Sequence, residues 1–216
     1  MQHNKIFTIL FFFFSCSLFA QHQNVPPQIA PIIDKTVQKY NALSTFSIDF
    51  KMNMEKNNKK IQNFEGILFV KKEKYFLTFE DQIIANDGEV MWNYQKSINE
   101  ISLFEAEDDD FTLFHPAKML INWSKEFDAK FIRDEEYQSK PAILVDLTPK
   151  KQSSFYKIRL FINKNTSYIQ KMVMYEMDES IITYTITKFT PNTEVADTKF
   201  SFNKNDYPNV QINDMR

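Results

Sequence analysis

Strict alternation of side chains with apolar residues on both faces, in a chain holding only two glycines, limits this sequence to a sheet-built fold. The pattern is densest from Phe64 to Tyr94. Phe64, Gly66, Leu68 and Val70 take one side of a strand, ending in Lys72, and Glu65, Ile67, Phe69 and Lys71 take the other. Tyr75, Leu77 and Phe79 resume the pattern after a Lys-Glu-Lys corner. Asp87-Gly88, between Ile83-Ile84-Ala85 and Val90-Met91-Trp92, predicts a two-residue hairpin. Such a sheet makes an apolar wall rather than a reaction centre.

The flanking chain fits this plan. Ile29, Ile33, Val37 and Tyr40 form one stripe, which predicts an amphipathic helix over Ile29 to Leu43 packed on a sheet. Phe46, Ile48, Phe50, Met52 and Met54 alternate with polar residues, the pattern of a strand with one apolar and one wet face. Ile98 to Phe104 reads as a further strand. The acidic run Glu105 to Asp110 lacks calcium-loop spacing and reads as a solvated loop. Phe111 to Trp123 is apolar, and Pro116 can start a helix there with Met119, Leu120 and Trp123 on one face. That helix is either plain core or a movable cover. Phe127 to Arg133, Ala142 to Leu147, Phe155 to Asn163, Tyr168 to Met177 and Ile181 to Phe189 read as strands of a mainly antiparallel meander. Within them, Tyr156, Ile158, Leu160 and Ile162 are expected on one face, with Phe155, Lys157, Arg159 and Phe161 opposite. Asp134-Glu135-Glu136 and Lys150-Lys151 are expected at turns.

Chemistry is constrained by what is missing. Lys5 precedes an apolar run from Ile6 to Phe19, and Ala20-Gln21 offers a cleavage point, so residues 1–20 read as a signal peptide and 21–216 as a single exported domain. Cleavage removes Cys16, the only cysteine, and His3; of the remaining histidines, His22 falls in a polar leader, leaving His115 in the folded region. Cys/His zinc sites, multi-histidine metal sites and histidine triads are thereby excluded, and two glycines make no phosphate-cradling loop. A net charge of −2 gives no case for nucleic acid. No paired-carboxylate motif is recognisable, and an enzyme is the poorest reading.

In order, the short helix, the strand from Phe46, G-x-L-x-V-K-K at Gly66 to Lys72, D-G-x-x-x-W-x-Y at Asp87, Gly88, Trp92 and Tyr94, and V-x-D-x-x-F-x-F at Val195, Asp197, Phe200 and Phe202 resemble the LolA-type periplasmic lipoprotein carriers. The resemblance implies a mainly β, α+β fold: an incomplete antiparallel barrel around an apolar cavity covered by short helices. It implies no cofactor, a periplasmic location and a monomer. The partners it implies are lipid-modified proteins held by their acyl chains, a lipoprotein-releasing transporter of the inner membrane, and an outer-membrane acceptor or the membrane itself. In the family the strand at Gly66 ends in Lys-Arg, and the arginine reaches the helical cover. Here it ends in Lys71-Lys72.

Phe46, Phe50, Leu68, Val70, Leu77, Trp92 and Tyr94 are the expected cavity wall, Met119, Leu120 and Trp123 the cover, and Lys72 a weaker latch than arginine, because its ammonium lacks the planar fork. Two other readings stay open on the same half-barrel. One is a lipid-sensing regulatory module; the other is a carrier of another apolar lipid or pigment.

Overall fold

The computed structural model describes residues 29–106 and 116–216. The expected signal peptide, the polar leader, His115 and most of the acidic run lie outside the described residues. Helix α1 (Ala30–Asn41) has proline in its first turn and buries Ile33, Thr36 and Tyr40, with Ile29 packed just ahead of it. Six strands follow: β1 (Thr45–Lys56), β2 (Lys59–Lys71), β3 (Lys74–Phe79), β4 (Gln82–Asn86), β5 (Val90–Gln95) and β6 (Glu100–Glu105). Two short helices, α2 (Pro116–Ile121) and α3 (Trp123–Glu126), lead to β7 (Phe127–Tyr137), β8 (Lys140–Pro149), β9 (Phe155–Asn163), β10 (Ile169–Glu176) and β11 (Ser180–Pro191). The chain closes with β12 (Gln211–Asp214).

All twelve strands join one sheet, in the order β12-β6-β5-β4-β3-β2-β1-β11-β10-β9-β8-β7. It consists of two antiparallel meanders laid side by side and joined where β1 pairs with β11. Only β12 runs parallel to its neighbour, β6. The sheet is open, an incomplete barrel. With so few glycines, its tight turns place other residues in the left-handed region, among them Asn57, Asn58, Asn99, Ser139 and Asn209; asparagine tolerates that region best.

One face of the sheet carries the main core. Phe46, Leu68, Leu77 and Ile84 of the first meander meet Val145, Leu147, Ile158 and Leu160 of the second, beneath Ile33, Leu120 and Trp123 from the helices. The opposite face carries two smaller clusters. One, around Ala85, Trp92, Ile101 and Leu103, is covered by Phe202, Tyr207, Val210 and Ile212 from the C-terminal segment. The other, around Leu144, Phe161 and Val173, is roofed by side chains of its own strands. Lys157 lies 3.9 Å from the Tyr175 ring centroid and Lys171 lies 5.0 Å from that of Phe161. Beside them Arg159 donates two hydrogen bonds to the Asp146 carboxylate, at 2.6 and 2.8 Å.

Three sequence expectations are corrected. The Asp87-Gly88 connection is a three-residue loop, Asp87, Gly88 and Glu89, between the end of β4 at Asn86 and the start of β5 at Val90, closed by the Asp87 N–H donating to the Val90 carbonyl. Gly88 supplies the left-handed step at φ +97°, and the Asp87 carboxylate accepts from the N–H groups of Glu89 and Val90. Asp134-Glu135-Glu136 are not a turn but the outer half of β7, an edge strand where charge blocks further pairing. Phe155 packs against the main core and Tyr156 is half exposed, the reverse of the simple alternation. A register shift at Tyr175/Glu176 lets Glu176 oppose Phe155 and Tyr175 oppose Lys157, which skips Tyr156.

Gly66 marks a close approach. A Cβ there would stand 2.5 Å from Cζ of Phe50 and 2.7 Å from the Thr78 carbonyl oxygen. Gly66→Ala is therefore expected to cost about 3 kcal/mol in denaturant unfolding. Adding Phe50→Leu is expected to recover only part of that loss, because the backbone oxygen remains. Full recovery would show that the ring alone sets the fit.

Candidate functional site

On the inner face of the first meander a long apolar surface packs against short helices. Leu68, Val70 and Leu77 point inward because β2 and β3 pair Leu68 with Leu77 and Val70 with Tyr75. Phe46 and Phe50 join them from β1, opposite Val70 and Gly66. Met119 and Leu120 of α2 and Trp123 of α3 close over this surface and belong to the same buried cluster. Eight of the ten nominated cavity residues are thus brought together.

The other two are not. Trp92 pairs with Ala85, and Tyr94 with Ile83, which puts both on the opposite face of the sheet from Leu77 and Ile84. Their chemistry there is that of an anchor. The indole N–H of Trp92 donates to the Phe200 carbonyl at 3.0 Å, and its ring lies 6.0 Å from Phe202 and 5.9 Å from Tyr207. The ring of Tyr94 sits 4.6 Å from Tyr207. The Trp92, Asp197, Phe200 and Phe202 positions of the sequence pattern therefore fasten the C-terminal segment to the back of the sheet.

Asp197 makes the same attachment electrostatically. Its carboxylate lies 3.1 Å from the ammonium of Lys71 and 3.8 Å from that of Lys74. The hydrogen bond from Lys71, then the charges of Lys71, Lys74 and Lys72, hold the carboxyl below its usual range. Lys71, nominated as the strand-end lysine beside the latch, is thus committed to the back of the sheet.

Lys72 does not continue the inward face of β2. The strand ends at Lys71, and Lys72 occupies the turn at φ +54°, with its N–H donating to the Ser44 carbonyl at 3.2 Å. Its ammonium makes no hydrogen bond or ion pair with a described residue, so the latch to the helices is not formed by this side chain here. It lines instead the mouth of a cleft of about 400 Å³ between the end of α1, the β2–β3 turn and α2. Tyr40, Leu43, Phe46, Val70 and Ile121 supply the apolar wall of that cleft.

Two contacts across the cover went unnoticed in the sequence. The Trp123 indole N–H donates to Asp34 of α1 at 2.9 Å, tying α3 to α1. Lys118 of α2 lies 3.9 Å from the Glu73 carboxylate and 5.8 Å from the Tyr75 ring centroid, reaching from the cover to the β2–β3 turn. The available signal was that Lys118 is the one Lys, Arg, Asp or Glu residue between Phe111 and Trp123. Under the cleft, Tyr40 is buried among Phe46, Tyr168 and Phe189 with ring centroids 5.2–5.7 Å away. Its oxygen accepts from the Ile169 N–H at 3.2 Å, and burial pushes the phenol above its ordinary range, so it stays neutral.

Residues 41–203 match the family described as outer membrane lipoprotein carrier protein LolA. An uncharacterized protein of Methanocaldococcus jannaschii is 22% identical over 173 residues, which are 79% of this chain and 50% of the relative. The chain thus spans about half the length of that curated relative. An uncharacterized conserved protein of Thermus thermophilus has a similar fold, with TM-score 0.61 at 10% identity, covering 87% of this chain and 99% of that one. The Mycobacterium tuberculosis lipoprotein LppX is also similar, with TM-score 0.51 at 10% identity, over 79% and 98% of the two chains.

Trp92→Phe keeps an aromatic ring but leaves the Phe200 carbonyl without its donor. We expect a loss of about 1–2 kcal/mol in unfolding free energy with unchanged affinity for an apolar fluorescent probe. A large drop in probe affinity in the folded variant would place Trp92 at the ligand after all.

Proposed function

This chain belongs to the outer membrane lipoprotein carrier family LolA, and from that premise we propose that it escorts lipid-modified proteins through the periplasm, from the inner to the outer membrane, by enclosing their acyl chains. The observation that carries the reading is the continuous apolar inner face of the sheet roofed by short helices, with a cleft already open along the α1–α2 border. No helix among the described residues is long and apolar enough to cross a membrane.

Physical chemistry supports such a surface in such a role. Exposing an acyl chain to water costs about 0.8 kcal/mol per methylene, roughly 10 kcal/mol for one long chain. A trough of Phe, Leu, Ile and Met offers matching contacts with no directional chemistry. The same side chains pack against the cover, so closure competes with ligand and favours release. A surface of this size left bare would be sticky. In this reading Leu68, Val70, Leu77, Phe46 and Phe50 are the wall, and Met119, Leu120 and Trp123 are the inner side of the movable cover. The carrier acts as a monomer, loads from a lipoprotein-releasing transporter and delivers to an acceptor or to the outer membrane itself. The chemistry is binding and release.

Mass spectrometry of protein purified from its source cell is expected to reveal acylated peptides. Depletion of the protein is expected to strand outer-membrane lipoproteins at the inner membrane, and unchanged lipoprotein location would overturn the reading. Ile121 is 58% exposed and lines the cleft, so Ile121→Glu is expected to fold normally. It is expected to weaken competition by a diacylated lipopeptide against an apolar probe by about three- to tenfold. Equal competition would remove the cleft from the binding surface.

A further inference from the structure

Between β10 and β11 the sheet comes apart. The two strands pair only from Lys171↔Thr185 to Tyr175↔Ile181, yet β11 runs on to Pro191. From Ile186 onward it has β1 on one side and no strand on the other. Each strand carries an extra residue at the point of parting. Gln170 is skipped where β10 pairs with β9, and Thr187 where β11 pairs with β1. Bulges bend their strands and end pairing, so the two strands diverge around a gap of about 580 Å³. Ile186 and Phe189, which pack toward the main core, line this gap together with Thr187 and Lys188.

Two polar features of the gap lack the partner that a continuous sheet supplies. Successive residues of a strand direct their N–H and C=O groups to opposite sides, so β11 presents backbone donors and acceptors to the gap along residues 186–189. On the facing strand the Ile169 N–H has a substitute partner, the Tyr40 hydroxyl of α1 at 3.2 Å. Gln170 has none: it lines the gap, and its Oε1 is buried without a hydrogen-bond partner, a costly condition until a donor arrives.

An extended peptide satisfies both features. Its backbone adds to the bare edge of β11 as a further strand, and one of its N–H groups serves the Gln170 oxygen. The place of the gap says which peptide. Tyr168 and Phe189, which line it, lie 5.2 and 5.7 Å from the Tyr40 ring, and Tyr40 also lines the apolar cleft at the α1–α2 border. One layer of aromatic rings thus separates a site for a backbone from a site for an acyl chain. We propose that the gap binds, as an added strand on β11, the extended peptide that follows the acylated terminus of a lipid-modified protein. The inference rests on the acyl-binding reading above and adds to it a seat for the polypeptide end of the cargo.

The test uses two ligands with the same N-palmitoyl group on the same short neutral peptide of Ser, Thr and Val, one of them N-methylated at every residue so that it cannot donate to a strand. Monopalmitoylglycerol serves as the chain alone, and each ligand is kept below its micelle concentration. In displacement of an apolar fluorescent probe, the unmethylated peptide is expected to compete about tenfold better than the methylated one. It is also expected to slow amide hydrogen exchange at residues 186–189, which monopalmitoylglycerol leaves unchanged. Gln170→Met keeps the shape and removes the acceptor, and is expected to cut the preference to about threefold. Equal competition by the two peptides, unaltered exchange at residues 186–189, or a preference that the folded Gln170→Met variant keeps whole overturns the inference and leaves the acyl-binding reading standing. Slow exchange there in the free protein that is lost on dilution makes a second copy of this chain the occupant, and overturns it too. If no ligand displaces the probe, the acyl-binding reading fails. The strand site then stands only if the acetylated peptide, without its palmitoyl group, slows exchange at residues 186–189.

Discussion

The pairing of β1 with β11, eleven residue pairs from Phe46↔Pro191 to Lys56↔Ser180, is the seam where two separate meanders become one sheet. Because of it, β6 and β7 lie far apart, although the chain passes from one to the other through only twenty-one residues, ten of them in α2 and α3. A flat sheet would set those two strands about 48 Å apart at roughly 4.8 Å per strand. With its helical turns counted, the connection reaches about 50 Å when fully stretched. That leaves almost no slack. Curling the sheet shortens that distance and lets α2 and α3 settle on the inner face. The seam, the curl and the cover are therefore one constraint seen from three sides.

The curl needs local room, and the chain provides it at Phe50. Between Asp49 and Phe50 the pairing skips Thr187, the extra residue of a bulge on β11, and on the other side of β1 Phe50 pairs with Gly66, its ring filling the space that a side chain there would need. A bulge bends a strand and raises its twist, and Gly66 admits the Phe50 ring without a clash.

Much of this was legible in the sequence. Alternation placed Leu68, Val70 and Leu77 on one face, because β2 and β3 carry no register shift where they pair. The helical stripe of Ile29, Ile33 and Tyr40 was equally direct. Trp92 and Tyr94 were misplaced for a physical reason. Their aromatic character fits any buried surface, and strand parity cannot say which face lies inside when both are apolar. Only the distant Phe200–Ile212 segment reveals a second buried face. Phe155 and Tyr156 exchanged faces because a bulge is invisible to counting by two. Lys72 was carried one residue too far along β2, since a strand end and its turn are written in the same lysines. Lys118 and Asp34 act across separate elements, and no local pattern marks a contact of that kind.

The back of the first meander has a consequence for how the molecule is made. Trp92, Ala85 and Ile101 are buried by residues from the last stretch of the chain, and β12 joins β6 only after more than a hundred intervening residues have been added. A chain delivered amino-terminus first therefore holds six strands with a bare aromatic strip and an unpaired rim until residues 200–214 have been added. Such surfaces promote aggregation. A polypeptide interrupted before residue 200 would have its front face ready and its back face uncovered, so residues 200–214 work as the closing stitch of the whole sheet.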